Sequence, residues 1–259
     1  MIGRIAELNL GAQAKTALMD LLPDPDLSDS HTISDSSLVN YADHVRRNPN
    51  FPPFKFLDNA HFVDIPVEPA FTGDPLTFCQ QDKCVIDAIE DFKVVLASKT
   101  LPKVRRQEAL AFLVHFIGDL HQPLHCATRD DRGGNGLHVK FLGSSGHHNM
   151  NLHSVWDGNL VHTIMPSANA FSSGTTLNQS ITAQEKHDWQ AGTTKKWAME
   201  SYHLARTVAY TRTDGTMLPT TGTPNLNQAY VDQAKPVVVS QIKKAGIRLA
   251  KVLNEALKP

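Results

Sequence analysis

The chain has 259 residues, 41% of them apolar, and a formal net charge of -1. That is enough to bury a substantial core, and room for one or two domains of about 100–200 residues each. The near-neutral charge excludes a protein that grips nucleic acid by bulk charge, though not one whose bound metal ions meet a phosphate. There is no apolar run of the roughly 18 residues needed to span a bilayer, and no basic-then-apolar export signal opens the chain.

Taken in chain order, the predicted elements are mainly helices. Ile2, Ile5, Leu10, Leu18 and Leu21 approach a helical period of about 3.6 residues, which predicts a helix over 2–22 that stops at Pro23. No Ser, Thr, Asp or Asn precedes it to cap its free N–H groups. A short helix over 37–47 contains Asp43 and ends before Pro49. After a Pro- and Gly-rich connection comes a helix over 82–97. Pro102 then opens a long helix through Gln122 that Pro123 stops. Leu110, Leu113, Val114 and Ile117 run along it beside His115. The Gly-rich loop 132–136 leads into a short strand over 137–142, the β-hairpin region of the expected fold. Helices over 152–163, 186–211 and 228–257 complete the set, while 172–176 and 213–224 read as loops. With no internal repeat and no linker, the expectation is a single, mainly α domain over 1–259.

Three cysteines are too few for a disulfide-built scaffold. The spacing of Cys79 and Cys84 leaves open a small disulfide loop in an oxidising compartment or two reduced thiols in the cytosol. Cys126 follows His125, and a buried, inert thiol suits it better than a ligand role.

The chemistry concentrates between His115 and Asp157. His115 and Asp119 are four residues apart, as are His153 and Asp157, so on helices each pair projects from one face, one turn apart. A lone pair at this spacing usually lies on a solvated face. Here His115 sits among Val114, Phe116 and Ile117, and His153 precedes Val155 and Trp156. Two helices offering an imidazole and a carboxylate each would suit a metal site with nitrogen and oxygen ligands.

The segments His115-Phe-Ile-Gly-Asp-Leu-His-Gln-Pro-Leu-His125, Arg132-Gly-Gly-Asn135 and Asn151-Leu-His-Ser-Val-Trp-Asp157 closely resemble the zinc-dependent single-strand nuclease and 3′-nucleotidase family. Bacterial zinc phospholipase C shares that family's fold. Tyr41-Ala-Asp-His-Val-Arg46, His61-Phe-Val-Asp64, Trp197-Ala-Met-Glu-Ser201 and the stretch from Gln241 to Ala250 fit as well. Carried over, the resemblance implies a first Zn2+ on Asp43, His61 and His115, with Asp119 bridging to a neighbouring ion. It implies another on His125, His153 and Asp157. Asp64 matches the carboxylate that orients the attacking water, and Arg46 a side chain that contacts the phosphate. It also implies an exported protein, secreted or periplasmic, with Cys79 and Cys84 joined. The family's chain opens with a Trp whose free amine binds a third zinc, followed by a His; this sequence begins beyond the matching point, so two zinc sites are expected. The implied activity is hydrolysis of single-stranded DNA and RNA to 5′-phosphates, and of 3′-nucleotides, with no membrane and no obligate protein partner. A zinc phospholipase C, or a zinc-binding remnant without activity, are the alternatives. His121 could support a ligand or simply bond a carbonyl at a helix end. Phe62 and Trp156 could stack bases or belong to the core.

Overall fold

Helix α1 (Ile2–Leu8) is the hub of the termini: it lies against α9 (Ala170–Gln179) and against the long C-terminal helix α12 (Gln228–Ala256). The computed structural model describes residues 1–22, 32–33, 36–47, 57, 59–79, 83–143, 150–166 and 169–258, without the side chains of Ser36, Ser37, Arg46 and Arg47. Two close approaches fix α1. At Gly246 a Cβ would lie 2.5 Å from Ile5 Cβ and Cγ2, and at Gly174 one would lie 2.8 Å from the Met1 carbonyl oxygen. Ile5 is wholly buried and cannot retreat. Gly246→Ala is therefore expected to destabilise, because overpacking of this kind costs about 1–3 kcal/mol while helix propensity returns only about 1. A melting temperature lower by up to roughly 8 °C would match, and a rise would refute the close approach.

The predicted helix over 2–22 is two helices, α1 and α2 (Ala12–Leu21). Asn9 ends α1, its amide donating to the Ile5 carbonyl at 2.7 Å and to Asn178 Oδ1 at 2.7 Å. Asn254, on α12, accepts from the Gly11 N–H at 2.8 Å and donates to the Asn9 carbonyl at 3.2 Å. The break is thus satisfied by a residue near the other end of the chain, which local periodicity does not reveal.

The helix expected over 37–47 is split into α3 (Ser36–Val39) and α4 (Tyr41–Arg47), and α5 (Val85–Ala97) packs along α6 (Lys103–Leu120). Most of α6 from Ala109 to Leu120 is buried, so the helix bearing His115 and Asp119 runs through the core. Phe92, Phe112 and Phe116 stack between α5 and α6, with centroids 4.5 Å and 5.6 Å apart. Cys79 and Cys84 are joined by a disulfide just ahead of α5.

The β-hairpin region is corrected. β1 (Lys140–Phe141) pairs in parallel with β2 (Asn225–Leu226), Lys140 against Asn225 and Phe141 against Leu226. Among the described residues an antiparallel bridge joins His138 to Asn151, flanked by Val139 N–H donating to the Met150 carbonyl at 3.0 Å and Leu152 N–H to the Leu137 carbonyl at 2.9 Å. The expected loop 172–176 lies inside α9. Asn169 caps that helix by accepting from Phe171 N–H at 2.8 Å, and Ser172 and Thr175 hydroxyls bond back to carbonyls at 3.0 and 3.1 Å. Ser and Thr can serve a helix when their hydroxyls find such carbonyls. The helix expected over 186–211 is interrupted between α10 (Ala183–Gln190) and α11 (Thr194–Leu204), where Gly192 has φ +88°.

Candidate metal centre

The segment 61–67 runs beside 125–128, with the Val63 N–H donating to the His125 carbonyl at 2.8 Å and Thr128 N–H to Ile65 at 2.9 Å. Val63, Ile65 and Val67 face the core, so Phe62, Asp64 and Pro66 alternate to the half-buried side. This pairing brings buried His61 up to α6. One ligand atom each from Asp43 on α4, His61, and His115 on α6 lies within 4.8 Å of the others.

Asp119, one turn past His115, completes a tight triangle. Its Oδ2 lies 2.9 Å from His61 Nδ1 and 3.1 Å from His115 Nε2, and those two nitrogens are 3.1 Å apart. Ligand atoms around a tetrahedral ion with bonds of about 2.0 Å stand about 3.3 Å apart, close to these separations. His115 Nδ1–H donates to the Val39 carbonyl at 2.8 Å, so its Nε2 is the ring atom turned toward the carboxylate. Among the described residues His61 Nε2 is buried with no hydrogen-bond partner, leaving Nδ1 as that ring's point of contact.

The second group takes His125 from the turn 123–126, and His153 and Asp157 from the segment that starts as α7 (Leu152–Ser154). Asn151 and Ser154 form a reciprocal cap on this segment, the Ser154 N–H donating to Asn151 Oδ1 at 2.8 Å. A widened turn over Val155–Asn159, in which the Leu160 N–H reaches back to the Val155 carbonyl, carries Asp157 and leads into α8 (Leu160–Ile164). Such one-residue expansions are frequent at functional sites. Asp157 Oδ2 is 3.3 Å from His153 Nε2, and Oδ1 is 3.4 Å from His125 Nε2. Both imidazoles are again held by carbonyls at Nδ1: His125 by His61 at 2.8 Å, His153 by Gly133 at 2.7 Å. Gly133 has φ +62°, and a Cβ there would sit 2.4 Å from the Leu124 carbonyl, so the loop 132–135 serves the site through its backbone. Asp119 Oδ1 lies 3.6 Å from His125 Nδ1, placing that carboxylate between the two groups.

The charges are strongly coupled. Burial alone would push the His115 imidazole down, but Asp119, the Val39 carbonyl and Asp43 outweigh it and hold it up at about 9. His125 is likewise held at about 9, against burial, by Asp119, Asp157 and the His61 carbonyl. For Asp119, burial pushes the carboxyl up, and the imidazoles of His125 and His115 overcome it and hold the group far below the usual carboxylate range. In the absence of a metal, protons on the imidazoles are what balance these carboxylates.

Asp64 stands beside this constellation, its carboxyl pushed up by burial and by the Asp131 carboxylate against a lowering pull from His125. Asp131 Oδ1 accepts from the Tyr210 hydroxyl at 2.7 Å and the Gly134 N–H at 2.9 Å. The Arg46 side chain, and His147 and His148, lie outside the described residues. Trp156 is a core residue whose Nε1–H donates to the Tyr230 hydroxyl at 2.8 Å, whereas Phe62 is half-buried. Cys126 is buried, its thiol donating to the Leu120 carbonyl at 3.4 Å. His121 Nδ1–H bonds the Ile117 carbonyl at 2.7 Å, the helix-end role. Its Nε2 accepts from Arg248 at 3.0 Å, and burial followed by that guanidinium pushes the imidazole down to about 3. Arg248 in turn forks onto Glu200 at 2.9 and 2.7 Å.

The structure thus brings together the expected residues Asp43, His61, His115, Asp119, His125, His153 and Asp157. Sequence reasoning missed the carbonyls of Val39, His61 and Gly133 that orient the rings, since a carbonyl leaves no mark in a residue pattern. It also missed Gln122, whose amide donates to Asp157 Oδ1 at 2.7 Å.

Comparison with known proteins bears on this site. The S1/P1 Nuclease family matches residues 1–258. Endonuclease 2 of Arabidopsis thaliana is 28% identical over 98% of this chain and 87% of its own length. Nuclease P1 of Penicillium citrinum is 32% identical over 85% of this chain and 83% of its own. Nuclease S1 of Aspergillus oryzae is 28% identical over 77% and 72%. The chain belongs to the S1/P1 nuclease family.

Proposed function

We propose that this chain is a zinc-dependent nuclease that hydrolyses phosphodiester bonds of single-stranded DNA and RNA, leaving 5′-phosphates, and that also removes the phosphate of 3′-nucleotides. The observation that carries the reading is the pair of imidazole–carboxylate groups joined through Asp119, in a chain of this family. The donor set fits zinc: imidazole nitrogens and carboxylate oxygens, with His115, His125 and His153 turned lone-pair inward by carbonyls behind them. Asp43, His61, His115 and Asp119 would hold one ion, and His125, His153 and Asp157 the other. Zinc so held supplies Lewis acidity toward water and positive charge toward phosphate oxygens.

The chain's own residues do the rest. Asp64 takes a proton from the attacking water, a role that suits a carboxyl raised above its usual range. Oxygen from that water bonds to phosphorus as the bond from phosphorus to the 3′-oxygen breaks; the 3′-oxygen takes a proton from solvent, and Asp64 returns the one it accepted to solvent. Arg46 is assigned to the equatorial phosphate oxygens. Single strands are preferred because a base must be splayed from its neighbours to be stacked, which a duplex resists. The Cys79–Cys84 disulfide supports an exported protein, and no helix among the described residues is long and apolar enough to cross a membrane.

The deciding experiment offers zinc-loaded protein heat-denatured DNA, the same DNA as duplex, and phosphatidylcholine vesicles. Cleavage of the denatured strand well above the other two is expected. Preferential release from phosphatidylcholine would make this a phospholipase C, and tight zinc binding with no hydrolysis would make it a non-catalytic relative.

A further inference from the structure

Gln122 stands three residues beyond Asp119, just past the end of α6, and both ends of its side-chain amide are used. Its Oε1 accepts the Leu124 N–H at 2.6 Å, which caps the turn 123–126 that carries His125. Its Nε2–H donates to Asp157 Oδ1 at 2.7 Å. One side chain therefore couples α6, the His125 turn and the widened turn that bears Asp157.

Asp157 is the member of its group least held by packing. Its side chain is 48% exposed, against 13% for His125 and 17% for His153. The two imidazoles are braced by carbonyls, whereas the carboxylate could turn about its own bonds. A hydrogen bond at Oδ1 leaves Oδ2 facing His153 Nε2. We propose that Gln122 is a positioning residue that sets the carboxylate of Asp157, and the turn of His125, for the metal ion of this second group. The proposal rests on the zinc reading of the clusters. Glutamine is chemically suited to this position. A neutral amide donates without adding a cation beside the ion, as Lys would, or a competing carboxylate, as Glu would. Asn, one methylene shorter, would not span Leu124 and Asp157 together.

The test is zinc titration of the chelator-treated full chain, with melting of the metal-free protein alongside. In Gln122→Met the first group should keep its zinc at wild-type affinity, which also shows that the variant is folded around the site. The second group should bind about 10–100-fold more weakly, the usual loss when a residue behind a ligand is removed. In an Asp157→Ala background, Gln122→Met should weaken the second group by a smaller factor than it does in the wild type, because the acceptor of its Nε2–H is gone and only the cap on Leu124 is left to lose; an undiminished factor would overturn the role assigned to the Asp157 bond. Gln122→Glu keeps the acceptor for Leu124 and loses the donor, so it should weaken the second group as well; wild-type or tighter binding there would overturn the assignment. Equal weakening of both groups would make Gln122 a support of the fold and overturn the proposal. Two zinc ions in the wild type with no change in Gln122→Met would sink this inference alone, whereas no zinc in the wild type would sink the reading beneath it.

Discussion

Replacement of Asp64 by Asn is expected to leave both zinc ions bound and to lower turnover by about 10²–10⁴-fold, the usual worth of a positioned general base. Asp64 lies on the half-buried side of the segment 61–67, between the influence of Asp131 and that of His125. The Asn side chain keeps the shape and removes the proton acceptor. The acid limb of the pH–rate profile should vanish with it, because burial and Asp131 hold that carboxyl above its usual range. Loss of zinc in the variant would make Asp64 a ligand, and unchanged turnover would place the base elsewhere.

His153→Ala should empty one group and leave the other filled. In the proposed assignment the two groups share no ligand, so elemental analysis should fall from two equivalents of zinc to one. Turnover should drop by about 10³-fold or more, since each 1.36 kcal/mol of lost transition-state stabilisation is tenfold and a metal supplies several. Retention of both ions would refute the role of His153. Binding at the surviving group should tighten as the pH rises toward about 9, because zinc must displace the proton that Asp119 helps His115 to hold. The metal-free protein should behave oppositely. Imidazoles raised to about 9 at His115 and His125 stabilise the fold fully below about pH 6.5, and that contribution is lost as the pH climbs through about 9.

The site was more legible than the fold's joints. His115 with Asp119, and His153 with Asp157, announce themselves by spacing, and the apolar residues around them separate them from a solvated helix face. Resemblance added Asp43 and His61, which no local pattern ties to α6; the pairing of 61–67 with 125–128 does so in space. The joints failed for a consistent reason. The break at Asn9 depends on Asn254, the partner of β1 lies far along the chain at β2, and α9 tolerates Gly174 because Met1 and Arg4 press against it. Each is a long-range contact overriding a local preference. The widened turn at 155–159 was hidden for the opposite reason: a pattern of i and i+4 spacing is the same whether the turn holds one extra residue or not.

The buried array beneath His121 bears on when this enzyme can come alive. Arg248 and Gln241 both lie on α12, and they reach the end of α6 through His121 Nε2 and through the His121 carbonyl, the latter at 2.9 Å. Ser201 joins them by donating to the Leu120 carbonyl at 2.6 Å. The helix that presents Asp119 is thus pinned at its site end by a helix that follows every metal-site residue in the sequence. A nascent chain has Asp43, His61, His115, His125 and His153 in hand before it has the helix that steadies them. The clamp on the end of α6 can therefore form only after all seven of the metal-site residues have been made, so the site end of α6 is steadied late in synthesis.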